Sequence, residues 1–222
     1  MGKPRSPKGR AVVVLGRLGA EHPGSAAELA TLDHRNPFEL LVATVLSAQT
    51  TDVGVNKVTP ELFARYPTPA DLAVADPAAL EVLLKPTGFY RAKARSVLGL
   101  AAALVERHGG EVPGGMPELT ALPGVGRKTA NVVRSIALGL PGLPVDTHVG
   151  RVARRLGLIE ATDPVKAEAE LGRLVPTAER GRFSLLLILH GRTICIARRP
   201  RCADCSLNDI CPSAFRAMDG KP

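Results

Sequence analysis

A capping side chain followed at once by proline recurs at Asn36-Pro37, Thr68-Pro69 and Asp76-Pro77. Asn, Thr and Asp can hold the first unpaired N–H groups of a helix. Proline fits the position that follows, because no intrahelical donor is lost there. A chain punctuated in this way is assembled from short helices with defined starts. Glu39 completes capping-box spacing with Asn36, and Phe38, Leu41, Val42, Val45 and Leu46 then recur at helical intervals. The same periodicity predicts helices near 52–65, 77–84, 90–107, 127–138, 147–156, 164–174 and 181–190. Alternating apolar and polar runs bounded by hairpin turns are missing, so the expected fold class is all-α.

A chain of 222 residues can bury a substantial core as one domain or as two small ones. Gly- and Pro-rich stretches fall at 109–117 and 139–144, and the second, Gly139-Leu-Pro-Gly-Leu-Pro144, is the expected hinge between two helical units. Lys and Arg total 29 against 21 acidic residues, a formal charge of +8 that favours a polyanionic partner. Aromatic residues are 3% and Trp is absent, which argues against a base-stacking platform for single strands. No apolar run reaches membrane-spanning length: Gly16 and Arg17 interrupt Val12 to Leu18, and Ser184 to Leu189 is too short. Residues 1–9 are basic but lack the apolar core of a secretory signal, and read as a disordered tail. The expectation is a soluble, cytoplasmic protein.

The segment Leu122-Pro-Gly-Val-Gly-Arg-Lys-Thr-Ala130 places two glycines two residues apart at the start of a helix. Unpaired N–H groups and the positive end of the helix dipole make such a turn attractive to a phosphate. Lys128 lies two residues inside and combines a DNA-contacting charge with an amine nucleophile. A turn that only needs glycines, and a solvated lysine, are the plainer alternatives. Eighteen residues later Asp146 stands where the next helix begins, in Val145-Asp-Thr-His-Val-Gly-Arg-Val152. The helix from 127 carries the chain roughly 17 Å away, and residues 139–145 can return roughly 23 Å if extended. Chain length therefore permits Asp146 to act with Lys128. An ordinary N-cap is the competing role for that carboxylate, and the two roles are compatible.

All four cysteines lie near the C-terminus, as Cys195, Cys202, Cys205 and Cys211 in a C-x6-C-x2-C-x5-C pattern. Disulfides do not suit a chain without a secretory signal. Four thiolates fit either a tetrahedral zinc ion or a cubane 4Fe–4S cluster, and physics alone leaves the two about even. Arg198, Arg199 and Arg201 crowd the first loop, where they either face DNA or offset thiolate charge.

Taken together, LPGVGRKTANVV, VDTHVGRV, LSAQTTD at 46–52, LHGRTICIARRPRC at 189–202 and the cysteine loop resemble the endonuclease III family of helix-hairpin-helix DNA glycosylases. The resemblance runs from about residue 10 to 212 and implies the HhH-GPD glycosylase fold. It implies a six-helix barrel domain over 30–140 carrying the hairpin, and an iron–sulfur cluster domain formed by 10–29 and 141–222. It also favours a 4Fe–4S cluster over zinc. The implied enzyme is a bifunctional DNA glycosylase and apurinic/apyrimidinic lyase of base excision repair. It would act as a bacterial-type, nucleoid-associated monomer on double-stranded DNA bearing an oxidised pyrimidine or an abasic site. Lys128 would attack the sugar and form a Schiff base, with Asp146 assisting its deprotonation. Gln49 and Phe89 would fill the space left by the flipped nucleotide. Gly124, Gly126, Arg127, His148 and Arg151 would contact DNA phosphates. Phe89 stands where relatives often carry leucine, and Thr120 where they can carry an acid. A monofunctional adenine or thymine mismatch glycosylase would carry Ser or Tyr in place of Lys128. A non-catalytic DNA-binding module or an electron-transfer protein would leave the Lys128 and Asp146 pair without a task.

Overall fold

Asn36 caps the helix that its sequence announces: its side-chain oxygen accepts the Glu39 N–H at 2.9 Å, and Pro37 takes the first helical position. A computed structural model describes residues 4–216. Within them the chain is helical and contains no strand. The α-helices are α1 (Pro7–Glu21), α2 (Pro37–Leu46), α3 (Asp52–Asn56), α4 (Thr59–Arg65), α5 (Pro69–Ala73), α6 (Pro77–Leu84), α7 (Tyr90–His108), α8 (Met116–Thr120), α9 (Arg127–Ile136), α10 (Thr147–Arg155), α11 (Pro164–Leu174) and α12 (Arg180–Thr193). Single 3-10 turns occupy Lys85–Thr87, Thr177–Glu179 and Cys202–Asp204. No helix among the described residues is long and apolar enough to cross a membrane.

The chain divides into two compact units, one of Ala30–Leu140 and one of Met1–Leu29 with Pro141–Pro222. In the first, α2 is apolar nearly all round, and eight of its ten residues are buried. A helix of that kind belongs at the centre of a core. It packs against α7 and α9, while α5 and α6 cover another face of α7 and α8 lies on α9. Leu41, Leu46, Leu62, Leu72, Val97 and Leu100 are fully enclosed. Glu39 is buried at the start of α2, where Arg35 satisfies it through backbone N–H at 2.8 Å and guanidinium at 2.6 Å. In the other unit, α12 packs on α10 and α1, and α1 also meets α11. Phe183, Leu186, Leu187, Val149 and Val152 lie at its centre.

Three boundaries differ from the sequence reading. Residues 7–9 are not part of a tail: Ser6 accepts the Gly9 N–H at 3.1 Å, and Pro7 opens α1. Residues 1–3 of the expected tail lie outside the described residues. The helix expected over 52–65 is two helices broken at Lys57 and Val58. Pro60 explains the break, since it lacks the N–H and its ring collides with a continuous turn before it. The predicted helix at 181–190 extends from Arg180 to Thr193. Replacing Asn36 by alanine removes the cap from the central helix. Asn36→Ala should lower stability by about 1 kcal/mol and Tm by about 2–4 °C in thermal unfolding; an unchanged Tm would show that the cap is dispensable.

Candidate active site and cysteine centre

The hairpin consists of α8, the turn from Ala121 to Gly126, and α9. Leu122 and Val125 point inward and are buried, which anchors the turn to the core of its unit. Gly124 lies between them in the left-handed region, with φ of 76°. A Cβ there would stand 3.0 Å from Cβ of Ser96 on α7 and 3.3 Å from a methyl of Val45 on α2. Only glycine meets both the torsion and the close approach. Gly126 is the N-cap of α9 and faces open space. Among the described residues neither the Gly124 nor the Gly126 N–H finds a protein acceptor. Arg127 and Lys128, the first two residues of α9, are exposed. The arrangement thus presents free donors, a positive dipole end and an amine on one exposed tip. The Thr120 hydroxyl is turned back onto its own helix, donating to the Met116 and Pro117 carbonyls at 2.9 and 3.2 Å.

Asp146 belongs to the other unit. Buried Leu143 and Val145 hold the segment leading to it, and the buried Ser184 hydroxyl donates to the Pro144 carbonyl. The half-buried Asp146 carboxylate caps α10, with Oδ1 accepting the Val149 N–H at 2.8 Å. That bond uses one oxygen and leaves Oδ2 for another partner. The carboxylate is therefore a cap, and the cap bond also fixes its direction. His148 is half-buried, and its Nδ1 lies 3.1 Å from Nη2 of Arg151. Arg151 was expected on a phosphate. Its Nη2 instead donates to the Gly191 carbonyl at 2.8 Å, and its Nε and Nη2 to the Cys195 carbonyl at 3.2 and 3.1 Å. It anchors the start of the cysteine loop, and burial is the main cause that lowers its pKa.

Gln49 and Phe89 are both exposed, Phe89 by 67%. Exposure on that scale removes Phe89 from the core. Both also have left-handed backbone, with φ of 54° and 48°. Non-glycine residues rarely adopt it, and strain of this kind gathers where a side chain must be presented. Sequence reasoning missed the residue beneath them, Lys93. It is 5% exposed, and its Nζ donates to the Thr50 hydroxyl and the Thr87 carbonyl, each at 2.7 Å. Burial lowers its pKa. The available signal was a lysine in the apolar stripe of α7, in register with Val97, Leu100 and Leu104.

All four cysteines line one largely apolar cavity together with Val152, Leu156 and His190. Among the described residues, no three His, Cys, Asp or Glu side chains converge on a point suited to one metal ion. Burial pushes the Cys205 thiol up to about 11 and raises the Cys211 thiol. Donors nonetheless face the sulfurs: Leu207 N–H lies 3.4 Å from Cys205, and Arg155 Nη1 lies 3.5 Å from Cys195. His190 Nε2 is 3.4 Å from Cys205. Arg155 further ties the loop down through the Ile196 and Ala197 carbonyls at 2.8 and 2.9 Å. Half-buried sulfurs that meet donors suit anionic ligands that a bound cationic centre would stabilise.

Residues 42–177 match the family described as HhH-GPD superfamily base excision DNA repair protein. The chain is 49% identical over 213 residues to endonuclease III of Synechocystis sp., covering 96% of each protein. It is 41% identical to endonuclease III of Escherichia coli over 204 residues, covering 92% of this chain and 95% of that protein. The fold superposes on the solved structure of a non-covalent endonuclease III–DNA complex with a TM-score of 0.87 and 42% identity, covering 96% of this chain and 98% of that one. A trapped endonuclease III–DNA covalent intermediate gives the same TM-score and identity, covering 95% and 98%. The chain belongs to the endonuclease III family of the HhH-GPD superfamily, the bifunctional glycosylase/lyases of base excision DNA repair.

Proposed function

We propose that this chain removes oxidised pyrimidines from double-stranded DNA and cleaves the resulting abasic strand through a Schiff base on Lys128. The observation that carries the reading is the hairpin tip, where exposed Lys128 shares a helix start with two glycine N–H groups that have no protein acceptor. Those N–H groups would hold a backbone phosphate and set the register of the DNA without reading its sequence. Arg127 and His148 would add phosphate contacts.

The Lys128 amine attacks the anomeric carbon of the flipped nucleotide as the bond to the damaged base breaks. Asp146, through the carboxylate oxygen not used by the cap, takes the proton from the amine and stabilises positive charge on the sugar. Ring opening then gives an iminium at C1′, which acts as an electron sink. Loss of a proton from C2′ and departure of the 3′ phosphate complete β-elimination, and water releases Lys128. Gln49 and Phe89 fill the vacated stack, which offsets part of the few kcal/mol that flipping costs.

We assign the hairpin barrel domain to residues 30–140, and the cluster domain to the remaining described residues. Cys195, Cys202, Cys205 and Cys211 fit a 4Fe–4S cluster, because their sulfurs line one cavity and meet N–H donors. When bound, the cluster would tie the four points of the loop to one another. The protein acts as a monomer on its duplex.

Lys128→Gln should lose nicking of thymine-glycol and abasic duplexes while keeping DNA affinity within about threefold in a salt-matched titration; nicking at the wild-type rate would remove Lys128 from the reaction. Asn caps a helix about as well as Asp, so Asp146→Asn separates the two roles of that carboxylate. It should slow excision by about 10²–10⁴-fold with Tm unchanged. Normal turnover per folded molecule would leave only the cap. Anaerobic chemical analysis should find about four irons and four sulfides per chain, and chelation should bleach the visible band and lower Tm; stoichiometric zinc would exclude the cluster.

A further inference from the structure

Lys93 takes no part in the reaction derived above, yet it is the buried ammonium of its unit, and its position is specific. Thr50 immediately follows Gln49, and Thr87 lies two residues before Phe89. Lys93 Nζ donates to the hydroxyl of the first and the carbonyl of the second, each at 2.7 Å. The Thr50 hydroxyl also donates to the same Thr87 carbonyl, closing a three-membered network. Both lone pairs of the carbonyl are used, and the ammonium spends two of its three donors on these loops. Thr87 is itself buried, with its hydroxyl on the Leu84 carbonyl at 2.8 Å, so the network is rooted in the 3-10 turn that follows α6. No ion pair among the described residues involves Lys93.

An ammonium buried against neutral partners is costly, and an apolar side chain of similar length would avoid the cost. What the lysine adds is a bond to each of two loops that are distant in sequence. Each of those loops carries one exposed residue held in left-handed backbone, Gln49 and Phe89. Two side chains that must enter one duplex together lose less entropy when their spacing is set beforehand. We propose that Lys93 is a positioning residue that pins the Gln49 and Phe89 loops at one spacing so that both side chains insert together during nucleotide flipping. The inference rests on the reading of Gln49 and Phe89 as the residues that fill the duplex.

The test is single-turnover excision of thymine glycol from a duplex by the cluster-loaded protein. Lys93→Met is compared with the Gln49→Ala/Phe89→Ala double variant and with the triple variant. Lys93→Met should slow excision about tenfold, a share of the flipping cost, and should change the double variant by less than about twofold. A 2-aminopurine opposite a stable abasic analogue should likewise lose its fluorescence rise at saturating Lys93→Met protein. An equal further loss in the triple variant would overturn the proposal, as would a Lys93→Met rate within about twofold of wild type. A double variant as fast as wild type would overturn the insertion reading itself, and with it this inference. If Lys93→Met does not fold, Thr50→Val enters the same cycle and should give the same lack of additivity.

Discussion

The close contact of Gly124 with Ser96 and Val45 is the constraint on which the hairpin tip depends. Because glycine has no Cβ, the turn can press against α7 and α2 while Leu122 and Val125 sink into the core. The packing leaves Gly126 at the rim with open space before it, and α9 starts outward from that point. Everything the tip presents follows: N–H groups with no protein acceptor, a positive helix end and the Lys128 amine. A side chain at Gly124 would be strained by the left-handed torsion and crowded against Ser96 and Val45, the packing that fixes the start of α9.

The second unit solves its positioning problem with polar anchors. Asp146 is directed by the cap it provides to α10, so one carboxylate oxygen serves the helix and the other is left for another partner. The cysteine loop is held largely by arginines that bind backbone carbonyls, Arg151 on Cys195 and Arg155 on Ile196 and Ala197. Planar guanidinium forks suit this task because one side chain can satisfy two carbonyls at a loop that has little regular structure of its own. The cost is that basic residues near the cysteines are spent internally, which a count of positive charge does not reveal.

That difference separates what could be read in the chain from what could not. Capping side chains followed by proline located α2, α5 and α6, because helix starts are local chemistry. The hairpin glycines and the four cysteines were equally visible, since each is required by a geometry or a donor set carried in a few consecutive residues. The break between α3 and α4 was missed although Pro60 marks it, because the apolar spacing continues across the gap. The roles of Arg151 and Lys93 depend on partners 40 or more residues away in sequence, Cys195 for one and Thr50 for the other. Neither partner can be identified from local pattern. The left-handed backbone of Gln49 and Phe89 is equally invisible in local pattern, because neither is glycine.

The central claim is that one amine, at the start of α9, forms the bond to deoxyribose. Borohydride reduction of the protein on an abasic duplex, followed by proteolysis and mass spectrometric mapping of the adduct, tests it most directly. The account predicts the deoxyribose fragment on Nζ of Lys128. An adduct on the N-terminal amine or on another lysine would contradict it.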